Sequence, residues 1–171
     1  MKLEKIFSNK KYIRKIESMG VGLVLFEVAA IDKRIGQNYH LFYEDKRKPP
    51  LDIAINPNDG TIEYISYFVQ DEMINRTDVT PKIINDDMRI SIYHNGFNED
   101  NVNIIINGRF KFLKMESAIW VLRDDIEVSV LNAYSIDDSN SLLFSCDEFM
   151  GIIFKNINDE EIQEIHNSKC L

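Results

Sequence analysis

Pairs of acidic residues recur along this chain where the apolar pattern breaks. They are Asp71-Glu72, Asp86-Asp87, Glu99-Asp100, Asp124-Asp125, Asp137-Asp138 and Asp147-Glu148, with Asp159-Glu160-Glu161 as a run of three. Adjacent carboxylates can transfer protons to a substrate or bind Mg²⁺. Aspartate also favours turns, because its side chain hydrogen-bonds to nearby backbone groups. We therefore interpret the pairs as turn residues and expect acidic loops around a sheet, with no metal site.

Histidine and cysteine side chains are the other candidates for chemistry. His40, His94 and His166 are widely spaced, as are Cys146 and Cys170, and none lies in a metal-ligand motif. Cys146 with His40 or His94 would make a thiol–imidazole pair, but no local pattern supports it. A domain of this size can be stabilised by its core alone, so we expect two free thiols.

Motifs for phosphate and calcium binding are also missing. No G-x-G-x-x-G, G-x-x-x-x-G-K, G-x-S-x-G or H-E-x-x-H pattern occurs. The segment INPNDGTIEYI (55–65) is not a calcium loop, because the first and third ligand positions would be Ile55 and Pro57. It predicts a tight turn with Gly60 in the left-handed conformation. We expect no cofactor.

The elements that position these residues are mostly strands, because apolar residues alternate with a period of two. Strand-like segments are residues 21–30, 38–44, 51–55, 62–69, 88–93, 102–106, 110–112, 118–122, 126–134, 142–146 and 149–154. They predict a mainly β fold, all-β or α+β, with a predominantly antiparallel sheet of about ten strands. No linker or repeat divides the chain, so we expect a single domain over residues 1–171.

Four local signals predict how these strands connect. Asn107-Gly108 favours a type I′ hairpin. Residues 118–122 and 126–134 are expected to pair around the turn 123–125, and the last hairpin turns at Asp147-Glu148. The apolar phase flips between Tyr64 and Ile65, which predicts a β-bulge or a strand covered on both faces.

Both termini carry possible helix signals. Ser8 or Asn9 would cap a short N-terminal helix ended by Gly20, with one apolar face made of Tyr12, Ile13, Ile16 and Met19; an extended lead-in is the alternative. At the other end, Asn158 predicts an N-cap with a capping box from Glu161. Ile157 and Ile162 form a hydrophobic staple there, so a short C-terminal helix is expected.

Net charge is −8 and is unevenly distributed. Residues 1–50 hold 11 basic and 6 acidic residues (+5), and residues 51–171 hold 9 and 22 (−13). The acidic excess disfavours nucleic acid and favours a basic partner. The longest apolar run, Val21–Ile31, is too short to cross a membrane and is interrupted by Glu27. With no secretory signal at the N-terminus, a cytoplasmic location is expected.

Two segments resemble a known class of protein. LDIAINPNDGTIEYISYFV (51–69) and EFMGIIFKNINDEEIQEI (148–165), together about a fifth of the chain, are similar to bacterial immunity proteins encoded beside polymorphic or contact-dependent toxins. The resemblance implies a protein without catalysis that binds and neutralises one cognate toxin domain, often a basic nuclease. We expect the partner contacts to lie in loops that could converge: Asp86, Asp87, Glu99, Asp100, Asp124 and Asp125. The basic first 50 residues should not face such a partner.

Two alternatives stay open. In the first, the protein is a β-barrel or sandwich that binds a small ligand in a cavity lined by Tyr39, Phe42, Tyr64 and Tyr67. In the second, it is an enzyme that uses carboxylates or a histidine, His40 or His94.

Overall fold

The computed structural model describes residues 1–77, 81–126 and 130–171, and it consists mainly of β-strands. In chain order they are β1 (Lys2–Ile6), β2 (Tyr12–Gly20), β3 (Leu23–Ala30), β4 (Tyr39–Glu44), β5 (Leu51–Ile55), β6 (Ile62–Gln70), β7 (Asn75–Arg76), β8 (Lys82–Asp86), β9 (Arg89–Tyr93), β10 (Asn103–Asn107), β11 (Phe110–Met115), β12 (Ala118–Arg123), β13 (Val130–Ser135), β14 (Asn140–Ser145) and β15 (Glu148–Phe154). The helix α1 (Asp159–Asn167) follows them.

Two large sheets pack face to face around an aromatic core. One has six strands in the order β10-β4-β5-β6-β3-β2, and the other has seven in the order β7-β11-β12-β15-β14-β13-β8. Strands β1 and β9 form a separate antiparallel pair. The Phe26 ring lies 5.3 Å from that of Phe154 and 5.9 Å from that of Phe112, and Tyr67 stacks on Phe112 at 5.1 Å. Each sheet therefore buries one face against the other, as in a β-sandwich.

The mainly β prediction is confirmed and most strand pairings are antiparallel as expected, but the prediction of one sheet of about ten strands is wrong. Among the described residues, fifteen strands form three sheets, and three strand pairs are parallel: β10 with β4, β11 with β7, and β13 with β8. Alternation along the chain identifies strands, but it carries no information on pairings between distant segments. Strands β1, β7 and β8 were not predicted as strands.

The predicted N-terminal helix is a strand. Strand β2 pairs antiparallel with β3 over its whole length except at Met19, where the register shifts, and Gly20 and Gly22 at the turn between them have φ of 132° and 78°. Tyr12 and Ile16 face inward with Arg14, whereas Ile13 and Met19 are exposed. The apolar residues of this segment fit both the helical and the strand period. Pairing with β3 favours the strand, because it adds the edge strand of the six-stranded sheet.

The hairpin predicted at Asn107-Gly108 does not form. Strand β10 lies at the edge of the six-stranded sheet and β11 belongs to the seven-stranded sheet, so these residues cross between layers. Neither residue has the positive φ that a type I′ turn needs. The Gly108 N–H instead donates to the Glu44 carbonyl at 3.1 Å, and a Cβ at this position would lie 3.0 Å from the Tyr43 ring.

The pairing predicted around residues 123–125 is also wrong. Strand β12 lies between β11 and β15, and β13 lies between β14 and β8. Residues 127–129 of the predicted strand 126–134 lie outside the described residues. The last hairpin is confirmed: β14 and β15 pair antiparallel, with a turn at Cys146 and Asp147 and a register shift after Leu143. Both cysteines are free thiols, as expected.

The predicted β-bulge exists one residue before the expected place. The β5–β6 register skips Glu63, so Ile62 faces inward while Tyr64 faces outward. The turn before β6 has the expected left-handed Gly60, with φ of 70°. A side chain at Gly60 would meet Tyr93 and Ser91 at 2.9–3.0 Å, so the turn also fixes the position of β9.

The C-terminal helix is confirmed, with its capping box. The Asn158 side chain accepts the Glu161 N–H at 2.9 Å, and the Glu161 carboxylate accepts the Asn158 N–H at 3.0 Å. The same carboxylate binds Arg14 of β2 through two hydrogen bonds of 2.6 and 2.7 Å. Arg14 also donates to the Lys155 carbonyl at 2.6 Å. Arg14 therefore joins the helix to both sheets.

We expect Arg14→Ala to lower the free energy of unfolding by about 2–4 kcal/mol, since it leaves a largely buried carboxylate and carbonyl without their donor. Equilibrium urea unfolding measures the change. The control is Lys15→Ala, the next residue of β2, whose exposed ammonium pairs with Glu17 and contributes little. Equal effects of the two substitutions would contradict the assigned role of Arg14.

Candidate protein-binding face

The six-stranded sheet has a face that no described helix or strand covers. The ladder registers place on it two rows of side chains, which we call the outer face: Ile13, Ala29, Tyr64, Ala54, His40 and Asn103 in one row, and Lys15, Glu27, Ser66, Asp52, Phe42 and Ile105 in the next. Leu25 and Phe68 continue it toward the β3 start. Because side chains alternate between the two faces of a strand, the register that turns the core residues inward also turns these residues outward.

Aromatic rings occupy the centre of the outer face. His40 and Phe42 stack with ring centroids 5.5 Å apart, and Tyr64 meets His40 edge-on at 6.0 Å. All three are half-buried, and none belongs to a buried core cluster. Ile105, at the edge of the same face, is 65% exposed. An apolar and aromatic patch of this kind is typical of a protein-binding surface.

One carboxylate organises the rings. Asp52 accepts a hydrogen bond from the Tyr64 hydroxyl at 2.6 Å and lies 3.0 Å from His40 Nδ1. A carboxylate can only accept, so the proton of His40 sits on Nδ1. Burial and the Asp52 charge raise the pKa of Tyr64 far above its usual value, which keeps the hydroxyl as a donor. The three side chains therefore hold one another in fixed orientations.

The network has the histidine–carboxylate half of a catalytic triad but not the nucleophile. No described Ser, Thr or Cys side chain hydrogen-bonds to His40. The neutral imidazole leaves Nε2 as an acceptor, and a protonated one would make it a donor. This arrangement offers a rigid polar contact at the centre of an aromatic patch, which suits recognition.

The outer face is acidic apart from one lysine. Glu17, Glu27 and Asp52 lie on it, and Lys15 forms an ion pair with Glu17. Glu27 has no ion-pair partner among the described residues. A basic partner would therefore find one carboxylate without a described ion-pair partner, that of Glu27, beside the aromatic centre.

Of the sequence-predicted contacts, Asp86 and Asp87 lie at the end of β8. Asp86 is ion-paired with Lys5 and accepts the Met88 N–H at 3.0 Å. The hydrogen bond from Lys5 lowers the pKa of Asp86. Asp87 is exposed. Only Asp87 of this pair is thus available to a partner without breaking an ion pair.

Glu99 and Asp100 occupy the turn between β9 and β10. Both are exposed, and the Asn98 side chain shapes the turn by accepting the N–H groups of Asp100 and Asn101 at 2.9 Å each. The turn precedes β10, at the start of an edge strand of the six-stranded sheet. These two carboxylates are therefore beside the outer face.

Asp124 and Asp125 follow β12 at the opposite end of the seven-stranded sheet from Asp86, because β12 and β8 run in opposite directions. Each binds an arginine: Asp124 lies 2.8 Å from Arg109, and Asp125 lies 2.9 Å from Arg123. The six predicted residues are thus divided between two ends of the sandwich and do not form one surface. Their role in partner binding stays a prediction.

The predicted cavity aromatics are separated too. Tyr67 is buried in the core, Tyr39 stacks on Phe97 at 4.6 Å, and Phe42 and Tyr64 lie on the outer face. They line no common cavity in the part of the chain that the structure describes. Across residues 1–77, 81–126 and 130–171, no group of three or more His, Cys, Asp or Glu side chains could hold a metal ion.

The other histidine and cysteine candidates, His94 and Cys146, lie in turns between strands. His94 Nδ1 accepts the Gly96 N–H at 3.0 Å inside a turn, and burial lowers the pKa of His94. Cys146 lies in the β14–β15 turn with φ of 53°. Neither residue contacts the other in the described structure.

The outer-face network was missed because its members lie on three strands. The alternation of apolar residues does indicate the outward direction of each member: His40 and Phe42 in NYHLFYE, Asp52 in LDIAI and Tyr64 in IEYISYFV. The signal that identifies the network is the antiparallel register of β4, β5 and β6, which places Asp52 beside Phe42 and Tyr64 beside Ala54. Alternation alone does not give that register.

Comparison with known proteins adds no family assignment. No family model matches the chain, and no curated protein matches it. None of the described helices is both long and apolar enough to cross a membrane.

We expect the hydrogen bond from Tyr64 to Asp52 to contribute about 1–2 kcal/mol of coupling energy, because the acceptor is a shielded carboxylate. A double-mutant cycle of Tyr64→Phe and Asp52→Ala, followed by urea unfolding, measures it. Tyr64→Phe combined with Asp87→Ala is the matched control and should be additive, since Asp87 is exposed and lies in the other layer. An additive Tyr64–Asp52 cycle would contradict the network.

Proposed function

We propose that this protein is a non-enzymatic immunity or inhibitor protein that binds and neutralises a cognate bacterial toxin domain in the cytoplasm. The observation that carries the proposal is the outer face of the six-stranded sheet, with an aromatic centre held by Asp52 and bordered by Glu17 and Glu27. Rigid aromatic side chains with few rotatable bonds are the residues that contribute most to protein–protein binding energy. The resemblance of segments 51–69 and 148–165 to immunity proteins supports the partner class.

Charge supports a basic partner such as a nuclease. The excess over the whole chain is −8, and at least seven of the 11 basic residues in 1–50 already form ion pairs: Lys2, Lys5, Lys10, Arg14, Lys15, Arg47 and Lys48. Most of the basic residues in the N-terminal segment are therefore already neutralised by a carboxylate, which weakens their repulsion of a basic partner. An acidic surface accelerates the encounter with a basic protein, and salt screens that effect.

The test uses the products of the genes that neighbour this one, among which the proposal predicts a secreted protein with a toxin-like C-terminal domain. We expect tight binding, with an association rate that falls as salt rises. Phe42→Ala and Tyr64→Ala should each raise Kd by about tenfold or more, because each removes a central ring worth at least 1.4 kcal/mol. Surface plasmon resonance at several ionic strengths measures both constants.

Controls separate the outer face from the acidic loops. Asp87→Asn and Asp124→Asn alter acidic residues away from the outer face and should leave Kd within about twofold. If these substitutions weaken binding and the ring substitutions do not, the binding surface is the set of acidic loops. Lack of binding to the neighbouring domain would refute the proposed partner.

A groove on the seven-stranded sheet favours a second function, the binding of a small ligand. It has a volume of about 520 Å³, a floor that includes Trp120 and Ile153, and rims that carry Lys82 and Lys155. Neither lysine has an ion-pair partner in the described residues, although Glu116 also lines the groove. An amphipathic organic anion fits such a floor and rim.

For this second function we expect decanoate or indole-3-acetate, as simple probes, to raise the melting temperature in a thermal-shift assay. Lys155→Gln combined with Lys82→Gln should abolish the shift by removing both cations, whereas Lys111→Gln, an exposed lysine on β11 outside the groove, should retain it. A shift that persists in the double variant would count against a specific site.

A further inference from the structure

The six-stranded sheet protects only one of its edges. Along β2, the Glu164 carboxylate accepts the Ser18 N–H at 2.8 Å and the Ser168 carbonyl accepts the Gly22 N–H at 2.7 Å, so the C-terminal segment covers that edge. Strand β10 forms the other edge, and its only ladder partner among the described strands is β4. An uncovered edge presents free backbone donors and acceptors.

The free groups on β10 can be assigned. The Val102 carbonyl accepts from His40 at 2.8 Å and the Gly108 N–H donates to Glu44, so even-numbered residues point toward β4. Residues of a strand alternate in direction, so the odd-numbered residues point their N–H and C=O groups away from β4. These are Asn103, Ile105 and Asn107, and no described group hydrogen-bonds to their backbones.

This edge also lacks the usual devices against strand pairing. The sequence NIIIN has no charged residue, proline or glycine. Ile104 and Ile106 face the core but stay half-buried, because no described strand flanks β10 on its outer side, and Ile105 is 65% exposed. Edge strands that must not pair with another chain normally carry a lysine, a proline or a β-bulge.

We propose that β10 pairs antiparallel with β10 of a second copy of this chain, around a twofold axis at Ile105. The segment is palindromic, so each Asn103 lies opposite Asn107 of the other copy and Ile104 lies opposite Ile106. The residues with free backbone groups then face one another, and every free donor meets a free acceptor. A twofold interface requires such self-complementarity.

Charges at the ends of the segment agree with this register. Extending the pairing beyond β10 places Asn101 opposite Arg109 of the other copy, so the exposed carboxylates of Glu99 and Asp100 approach an arginine that is already paired with Asp124 of its own copy. Each dimer has this contact twice. A parallel arrangement would instead place Glu99 and Asp100 beside their own copies, where like charges repel.

Pairing at β10 would join two six-stranded sheets into one of twelve strands, six from each copy. The outer faces would become continuous through Phe42 and Ile105, which share a row. This inference goes beyond the proposed function, and its test needs no toxin, so the two can fail independently.

The first test is sedimentation equilibrium of the purified full chain across a range of concentrations. We expect a monomer–dimer equilibrium that Ile105→Pro weakens at least tenfold, because proline removes a free N–H without touching the β4 ladder. Ile105→Thr keeps the N–H and the β-branched shape and should retain the dimer. A wild-type chain that stays monomeric at all concentrations, or a dimer that Ile105→Pro leaves intact, overturns the proposal.

A second test does not depend on the folding of the proline variant. Directly opposed residues of a hydrogen-bonded antiparallel pair lie about 5.5 Å apart at Cα, within disulfide range. In a Cys146→Ser background, Ile105→Cys should form a disulfide-linked dimer on mild oxidation. Ile13→Cys, equally exposed on the same face but on β2, should not. Equal cross-linking of the two variants, or none at Ile105, counts against the twofold pairing.

Discussion

The fold depends on a hydrogen-bonded contact between the second strand and the last fourteen residues. The Glu161 carboxylate holds Arg14 while it completes the helix N-cap, so one side chain fixes both the helix start and its position. Farther along, Glu164 and Ser168 bind the backbone of β2 and of the β2–β3 turn, and the Cys170 carbonyl accepts the Ile74 N–H at 2.7 Å. The C-terminal segment thus satisfies polar groups that would otherwise lie unpaired at the side of the sandwich.

The uneven charge along the sequence has a structural explanation. At least four basic residues of the first 50 pair with acidic residues far away in sequence, among them Lys10 with the buried Glu63 and Lys48 with Glu72. The Lys48 ammonium also lies 4.8 Å from the centre of the Tyr67 ring, where it closes one end of the aromatic core. The two halves neutralise each other inside the fold, and the surplus of carboxylates is left for the surface.

Sequence reasoning succeeded where the cause of a structure is local. The capping box at Asn158 and the left-handed Gly60 each depend on residues within a few positions, and both were predicted. The Asn107-Gly108 hairpin failed because contacts with a distant strand outweigh a turn propensity. The outer-face network was not predicted for a related reason. Alternation shows that His40 and Asp52 point away from the core, but only the strand register shows that their side chains are in contact.

The parallel pair of β4 and β10 sets the order in which the sheet can assemble. The two strands are separated by more than fifty residues that include the whole of β5 and β6, so loop closure delays their contact relative to the hairpins. Until then, the three consecutive isoleucines of β10 are unpaired on both sides in a newly made chain. Such a segment is prone to aggregate in a partly folded intermediate. The yield of native protein should therefore depend on how fast β4 and β5 form the template that β10 joins.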